Sequence, residues 1–338
     1  MSADVQFASL PEAPAARALP SGSKLAAAIL RFGSLLAFLS ILVIFALTAP
    51  YFLTVGNIGN VLGQSAISGV LAIGLTIVLI AGGSNVVTGG IDLSLAANMG
   101  LSAAVYATLI QLGFNDFAAG AGALATGLAI GVVNALAIVL AGIVPLLATL
   151  AVMNVVAGLE LVLTQNTVLP AATDFLTVLS ASGFGIPILA YVLIGFTIIV
   201  TAIVQYTPLG LRLYAVGEFP EAARAAGLPL KKLVAGAFVA SGLCGGIAGI
   251  LSVSYLSGST TGSGEMLLPV VVTALLGSVF SRRLVPTIGG TLISTLFVGF
   301  LINGFQLLNL PSTLVSGVQG LLILIVVSAT TLLRKREI

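Results

Sequence analysis

A succession of about ten apolar runs, each close to the length of a membrane-spanning helix, determines what this chain of 338 residues can fold into. About 20 apolar residues in an α-helix cross the hydrocarbon core of a bilayer. Only 7% of the residues are charged, against roughly 25% in a soluble domain. The sequence therefore predicts an all-α polytopic membrane protein with spans near 32–49, 61–81, 93–111, 118–141, 145–164, 187–206, 233–256, 266–281, 287–308 and 312–333.

The placement of the basic residues predicts the orientation of these spans. Lys and Arg in short loops mark the cytoplasmic side of a membrane. With ten spans, all 12 basic residues fall on the side of the two termini, so we expect both termini in the cytoplasm. Residues 1–29 are predicted to be a disordered cytoplasmic tail, 30–333 the transmembrane domain and 334–338 a second tail. Spans two to five and seven to ten begin on opposite faces, which is compatible with an inverted repeat.

The residue inventory excludes several classes of function. The chain has no histidine and a single cysteine, Cys244, which excludes a soft-metal site, a disulfide framework and a histidine-based catalytic triad. It also lacks the Gly-x-x-x-x-Gly-Lys-Ser/Thr loop that holds ATP phosphates. Any use of ATP energy by this chain would therefore require a separate subunit. A stand-alone ion-coupled carrier or channel is the alternative, although no ladder of buried acids supports it.

One long interior segment, 207–232, is charged and free of long apolar runs. Pro220 suits the first position of a helix, Glu221 is favoured near a helix N-terminus, Arg224 follows one turn later, and Gly227 can end the helix. These residues predict a short helix of about 10 Å. From the residues alone, this helix is either a solvated loop element or a docking element for a partner.

Polar residues within the apolar runs are candidates for a transport pathway. A glycine-rich polar break at 81–94 separates the second and third runs. Asp92 either caps the helix that follows or lies at membrane depth beside a cavity. Polar side chains within spans bond to another helix or meet a substrate. The candidate pathway residues are Asp92, Ser94, Asn98, Asn154, Glu160, Asn303 and Gln306.

Glycines four residues apart occur within several of the predicted spans. Small residues at this spacing let helix backbones approach closely in lipid, where no hydrophobic drive acts between helices. We therefore predict close helix contacts, without chemistry, at the pairs Gly127 with Gly131, Gly242 with Gly246 and Gly245 with Gly249.

Several motifs occur in a characteristic order along the chain. They are Tyr-Phe-Leu-Thr-Val-Gly-Asn from Tyr51, Thr-Gly-Gly-Ile-Asp-Leu-Ser from Thr88, Tyr-Ala-Val-Gly from Tyr214, Pro-Glu-Ala-Ala-Arg from Pro220 and Asn-Gly-Phe-Gln from Asn303. In these motifs the chain resembles, from about residue 51 to 327, the permease subunits of ribose-type sugar ABC importers, which are binding-protein-dependent inner-membrane components. Phe219 departs from the family, which usually has Asn there, so the helix at Pro220 lacks a side-chain cap.

The resemblance implies a non-enzymatic subunit that passes a small solute, most often a sugar, across a bacterial inner membrane. A nucleoside or a branched-chain amino acid is the alternative solute. The implied partners are two ABC ATPase subunits that bind ATP and Mg²⁺, an identical or homologous second permease chain, a periplasmic binding protein and membrane lipid. Neither nucleic acid nor a cofactor or metal in this chain is implied. The implied ATPase-coupling residues are Gly217, Pro220, Glu221, Ala222, Ala223, Arg224 and Gly227.

Overall fold

The computed structural model describes residues 36, 38–83, 90–183, 185–259, 261–281 and 285–335, with the side chains of the last helix described through residue 324. The predicted tail 1–29, residues 84–89 of the glycine-rich break and the pair Arg282 and Arg283 lie outside the described residues. What is described is almost entirely helical. This confirms the prediction of an all-α polytopic membrane protein.

Ten helical segments occupy the predicted spans. Helices α2, α4, α5, α7, α10 and α12 are long and apolar enough to cross a membrane, and shorter apolar segments occupy the other runs. The described elements are α1 (Phe38–Thr48), α2 (Val55–Gly82), α3 (Leu95–Gln111), α4 (Asp116–Val139), α5 (Pro145–Thr164), α6 (Asp174–Ser180), β1 (Ser182–Gly183), β2 (Ile186–Pro187), α7 (Ile188–Tyr206), α8 (Pro208–Glu218), α9 (Pro220–Ala225), α10 (Leu230–Leu256), a 3₁₀ turn (Ser263–Met266), α11 (Leu267–Val279), α12 (Ile288–Leu307) and α13 (Ser312–Lys335).

Side chains in the connections determine where several of these helices begin. The hydroxyl of Thr54 accepts a hydrogen bond from a backbone N–H in the first turn of α2, and the side chain of Asn115 does the same for α4. Thr287 caps α12 by accepting from the N–H of Gly290 at 3.2 Å. These contacts satisfy N–H groups that the first turn of a helix leaves free.

Helices α2 and α10 form the centre of the bundle. Helix α2 packs against α7, α10, α11 and α12, whereas α10 packs against α2, α3 and α4. A Cβ on Gly127 of α4 would lie 2.5 Å from the carbonyl oxygen of Gly242 in α10, and a Cβ on Gly245 would lie 2.5 Å from the amide of Asn98 in α3. The predicted glycine contacts are confirmed, and they allow α10 to touch two neighbours with its backbone.

The pairing of the helices follows the pattern that an inverted repeat requires. In the first set α3 packs against both α4 and α5, and in the second set α11 packs against both α12 and α13. Helix α4 lies on α10, the first helix of the other set, just as α12 lies on α2. A helix of each set therefore packs against the first helix of the other set, α4 against α10 and α12 against α2.

The two ends of the bundle differ in structure and in charge. One end, called the α9 end, carries α8, α9 and the start of α10, and the exposed basic residues Arg212, Arg224, Lys231 and Lys232 lie there. The opposite end, called the α6 end, carries α6 and the antiparallel β1–β2 hairpin. There the carboxylate of Asp116 accepts from the hydroxyls of Tyr106 at 2.6 Å and Thr173 at 2.7 Å, which joins α3, α4 and the start of α6.

Candidate coupling surface and transport pathway

Helix α9 lies on the surface of the α9 end. Its first residue is Pro220, and Phe219 before it makes no side-chain cap and is 68% exposed. Gly227 follows the helix with a φ of 77°, a left-handed conformation that suits glycine at a helix end. The guanidinium of Arg224 bonds both carboxylate oxygens of Glu221 at 3.2 Å. The short charged helix that the sequence predicts is therefore present.

The predicted coupling residues divide into an exposed and a packed group. Pro220, Glu221, Ala222, Arg224 and Gly227 are exposed to solvent. Ala223 is buried behind them, and Gly217 lies at the end of α8 against α2. The exposed face of α9 therefore consists of an ion pair beside small and apolar side chains.

Helix α8 connects α9 to the bundle at two places. A Cβ on Gly217 would collide with the carbonyl oxygen of Ile80 and lie 3.0 Å from the backbone nitrogen of Gly83, so α8 touches the end of α2 with its backbone. The hydroxyl of Tyr214 donates to the carbonyl oxygen of Pro286, just before α12, at 2.8 Å. Burial and, secondly, the charge of Glu218 raise the pKa of Tyr214 to about 12, so the hydroxyl keeps its proton at physiological pH.

Asp92 forms a hydrogen-bonded cluster inside the bundle. One carboxylate oxygen accepts from the N–H of Ser94 at 3.0 Å and from its hydroxyl at 2.6 Å, and the other accepts from the hydroxyl of Ser241 in α10 at 2.7 Å. The amide of Asn134 in α4 donates to Ser94 at 2.7 Å and lies 3.4 Å from Asp92. All four side chains are at most 1% exposed. The cluster joins the start of α3 to α4 and α10.

Asn98, one turn into α3, bridges the same three helices. Its amide nitrogen donates to the carbonyl oxygens of Gly242 at 3.1 Å and Gly127 at 3.3 Å, and its oxygen accepts from the hydroxyl of Ser102 at 3.1 Å. The carbonyls of two close-packed glycines are thus bonded by a third helix. This is the interhelical bonding that polar side chains make in the interior of a membrane domain.

Glu160 is buried near the α6 end and is only 2% exposed. One carboxylate oxygen accepts from the hydroxyl of Ser263, the first residue of the 3₁₀ turn that leads into α11, at 2.8 Å. Gly100 of α3 provides the space, because a Cβ there would lie 2.5 Å from this oxygen. The other carboxylate oxygen accepts no hydrogen bond from any residue that the structure describes. The hydrogen-bonding capacity of this buried carboxylate is therefore not filled by the described residues.

The remaining candidate residues lie apart from these clusters. Asn303 of α12 exchanges two hydrogen bonds with Asn57 of α2, at 2.8 and 2.9 Å. Asn154 is exposed on α5 and donates to the carbonyl of Leu150 one turn earlier at 2.8 Å, and Gln306 is exposed near the end of α12. The structure therefore does not gather the candidate pathway residues into one site.

Sequence reasoning missed four of the partners just described. Asn134, Ser241, Ser263 and Asn57 were not among the predicted site residues. Asn57 carried a signal, since it belongs to the motif that begins at Tyr51. The two serines carried none, because serine is common in apolar helices and its partner is distant in sequence. Within the described residues, no group of three or more acidic or cysteine side chains could hold a metal ion.

Known proteins resemble this chain over most of its length. The model of the family described as branched-chain amino acid transport system / permease component matches residues 57–327. The ribose import permease protein of Escherichia coli (strain K12) is 30% identical, over 87% of this chain and 91% of its own length. The Bacillus subtilis (strain 168) ribose import permease protein is 33% identical, over 88% and 91%. An L-arabinose ABC transporter permease protein from Azospirillum brasilense is 32% identical, over 88% and 86%.

Proposed function

Because this chain belongs to the family of branched-chain amino acid transport system permease components, we propose that it forms the transmembrane path of an ATP-driven importer for a small sugar. Relatives named as ribose import permeases and as an L-arabinose ABC transporter permease align with nearly the full length of this chain. This similarity supports a sugar ahead of a branched-chain amino acid or a nucleoside. Similarity to subunits of ABC importers also argues against a stand-alone ion-coupled carrier.

The observation that carries the ATP-driven mechanism is the exposed helix α9. Its ion pair and small side chains form a surface suited to a groove in an ATPase, and exposed Phe219 adds an apolar anchor at the edge. The four basic residues described at this end favour a cytoplasmic position for it. In this arrangement the ATPase subunits bind ATP and Mg²⁺, and this chain contributes the membrane path.

The proposed assembly places the solute at the opposite end of the bundle. A periplasmic binding protein would deliver the sugar to the α6 end, where the acids Asp174 and Glu265 are exposed. A second permease chain, identical or homologous, would complete the membrane domain. Asn154 supports this, because an exposed amide midway along α5 needs protein or water beside it in preference to lipid.

Among the candidate pathway residues, Glu160 has the strongest case for meeting the solute. Its free carboxylate oxygen is an acceptor for a sugar hydroxyl, and the buried setting makes such a bond stronger than in water. Asp92, Ser94 and Asn98 would act differently, by holding α3 in place beside the path. Asn303 and Gln306 lie at the α6 end of α12, where the solute would enter.

Reconstitution tests this proposal. The chain would be placed in liposomes with the ATPase encoded beside it, and uptake of radiolabelled ribose, arabinose or leucine would be measured with the binding protein outside and ATP inside. We expect uptake of one sugar that requires both ATP and the binding protein. Uptake driven by an ion gradient without ATP would contradict the proposed function. Uptake of leucine alone would contradict the proposal that the solute is a sugar.

A further inference from the structure

We propose that Tyr214 is a positioning residue for transport. Through its bond to Pro286, movement of α9 and α8 reaches α12 as well as α2, and these two helices belong to different sets of the membrane domain. The inference rests on the proposed ATP-driven import, since it concerns how the ATPase reaches the pathway. It adds a second connection to the contact that Gly217 makes with α2.

Movement of α9 passes directly into α8. Phe219 is the single residue between the two helices, and its N–H donates to the carbonyl of Ala215 at 3.0 Å while its own carbonyl accepts from Ala223 at 2.9 Å. Phe219 therefore ends the hydrogen-bond ladder of α8 and begins that of α9. A helix pair joined in this way moves as one body more readily than two helices joined by a loop.

The first connection from α8 leads to the first repeat. Gly217 and the end of α2, at Ile80 and Gly83, touch backbone to backbone. Gly83 has a φ of 79°, and the carbonyl of Gly217 fills the position that a side chain on Gly83 would occupy. Contact between backbones cannot be relieved by changing a rotamer. A shift of α8 therefore acts on α2, which packs against α7, α10, α11 and α12.

The second connection leads to the second repeat. The Tyr214 hydroxyl is bonded to the carbonyl of Pro286, and Thr287, the next residue, caps α12. Helix α12 packs along α2, and the hydroxyls of Thr76 and Thr291 meet there at 2.7 Å. Helix α8 thus holds both members of the α2–α12 pair, one by backbone contact and the other by a side-chain hydrogen bond.

Tyr214 suits this role because its hydroxyl is a permanent donor. A pKa near 12 keeps the proton in place over the physiological range. The carbonyl of Pro286 lies between helices, outside the ladder of α12, so this bond does not compete with a helical one. The hydroxyl therefore donates throughout the physiological pH range, to an acceptor that is not part of the ladder of α12.

The variant Tyr214→Phe removes the hydroxyl and keeps the ring. ATP hydrolysis and sugar uptake would be measured in the same liposomes, with the ATPase and the loaded binding protein. We expect the ATPase to co-purify as with the wild type, and the number of sugars imported per ATP to fall about two- to tenfold, the range for loss of one hydrogen bond. Tyr206→Phe, at the exposed end of α7, is the matched control and should keep the wild-type ratio.

Gly217→Ala supplies a second variant, since it separates α8 from α2 and should lower the same ratio. If Tyr214→Phe assembles with its ATPase and imports sugar at the wild-type ratio, the inference is wrong and the proposed function stands. If Tyr214→Phe does not assemble with the ATPase, Gly217→Ala decides. A wild-type number of sugars imported per ATP in that variant would contradict transmission of movement through α8. If the wild type itself shows no ATP-driven uptake, the proposed function fails, which is a distinct result.

Discussion

The carboxylates of Asp92 and Glu160 lie at different places in the bundle, Asp92 just before α3 and Glu160 near the end of α5. Both are buried, and each accepts from a serine at the start of a helical segment, Ser94 before α3 and Ser263 in the 3₁₀ turn that leads into α11. They differ in how fully they are paired. Both oxygens of Asp92 accept hydrogen bonds, from α10 and from the turn before α3, whereas one oxygen of Glu160 accepts none from the described residues.

This difference indicates two uses of a buried acid. Burying a charge is costly unless hydrogen bonds replace those lost from water. Asp92 recovers them from fixed neighbours, which suits a residue that holds three helices together. Glu160 recovers only part of them, and an incomplete set of partners is worth keeping where a ligand or a moving element completes it. The comparison predicts that Asp92 determines stability and Glu160 determines transport.

The largest effect is expected from Asp92→Leu. Leucine leaves the hydroxyls of Ser94 and Ser241 without the carboxylate acceptor to which they donate inside the bundle, at a cost of about 1–3 kcal/mol for each buried group. Asp92→Asn still offers an oxygen and should cost about 1 kcal/mol. Thermal unfolding in detergent, followed by loss of the monodisperse protein, distinguishes them. Equal loss in both variants would mean that the charge itself is required.

Glu160→Gln should lower transport and leave the stability of the protein nearly unchanged, in contrast to Asp92→Leu. Glutamine can still accept from Ser263, so the unfolding temperature should stay close to that of the wild type. Uptake per folded molecule should fall roughly tenfold, because a hydrogen bond to a charged group contributes about 1.5–3 kcal/mol. Ser263→Ala serves as the control, since it removes the described partner and keeps the acid. A Glu160→Gln protein that unfolds early but transports normally would reverse the assignment.

The pair Asn57 and Asn303 provides an uncharged reference for both acids. Two reciprocal amide hydrogen bonds join α2 to α12 at the α6 end. A double-mutant cycle with Asn57→Ala and Asn303→Ala should give a coupling of about 1 kcal/mol in the free energy of unfolding. Additive single effects would show that the two amides do not depend on each other.

The smallest effect on stability is expected at the exposed ion pair of α9. Glu221 and Arg224 are 82% and 68% exposed, and a surface pair at this spacing contributes about 0.5 kcal/mol or less. Replacing both by Ala should leave the unfolding temperature nearly unchanged, in contrast to Asp92→Leu. A large loss of stability would show that α9 is held in the fold by these charges and is not available to a partner.

Much of the fold follows from local sequence. Apolar runs of spanning length locate the helices, the basic residues whose side chains are described lie at the α9 end, and Pro220 and Gly227 bound α9 as predicted. The glycine pairs indicated close contacts because small size acts locally and is readable from spacing alone. The elements that escaped prediction are α6, the β1–β2 hairpin and α8, which lie in the connections between the predicted spans.

The partners of the buried acids could not be predicted in the same way. Asp92 meets Ser241, 149 positions away, and Glu160 meets Ser263, 103 positions away. Uniformly apolar helices carry little signal about which face meets which neighbour. An acid in a span therefore indicates that a site exists, and only the packed bundle distinguishes Asp92, with its complete set of donors, from Glu160.

The most direct test of the central claim is the stimulation of ATP hydrolysis by the loaded binding protein, measured with the wild type and with the Glu221→Ala, Arg224→Ala double variant in liposomes. The account predicts clear stimulation in the wild type, and its loss in a variant that inserts and unfolds as the wild type does. Equal stimulation in both proteins would contradict the assignment of α9 as the surface through which ATP hydrolysis drives import.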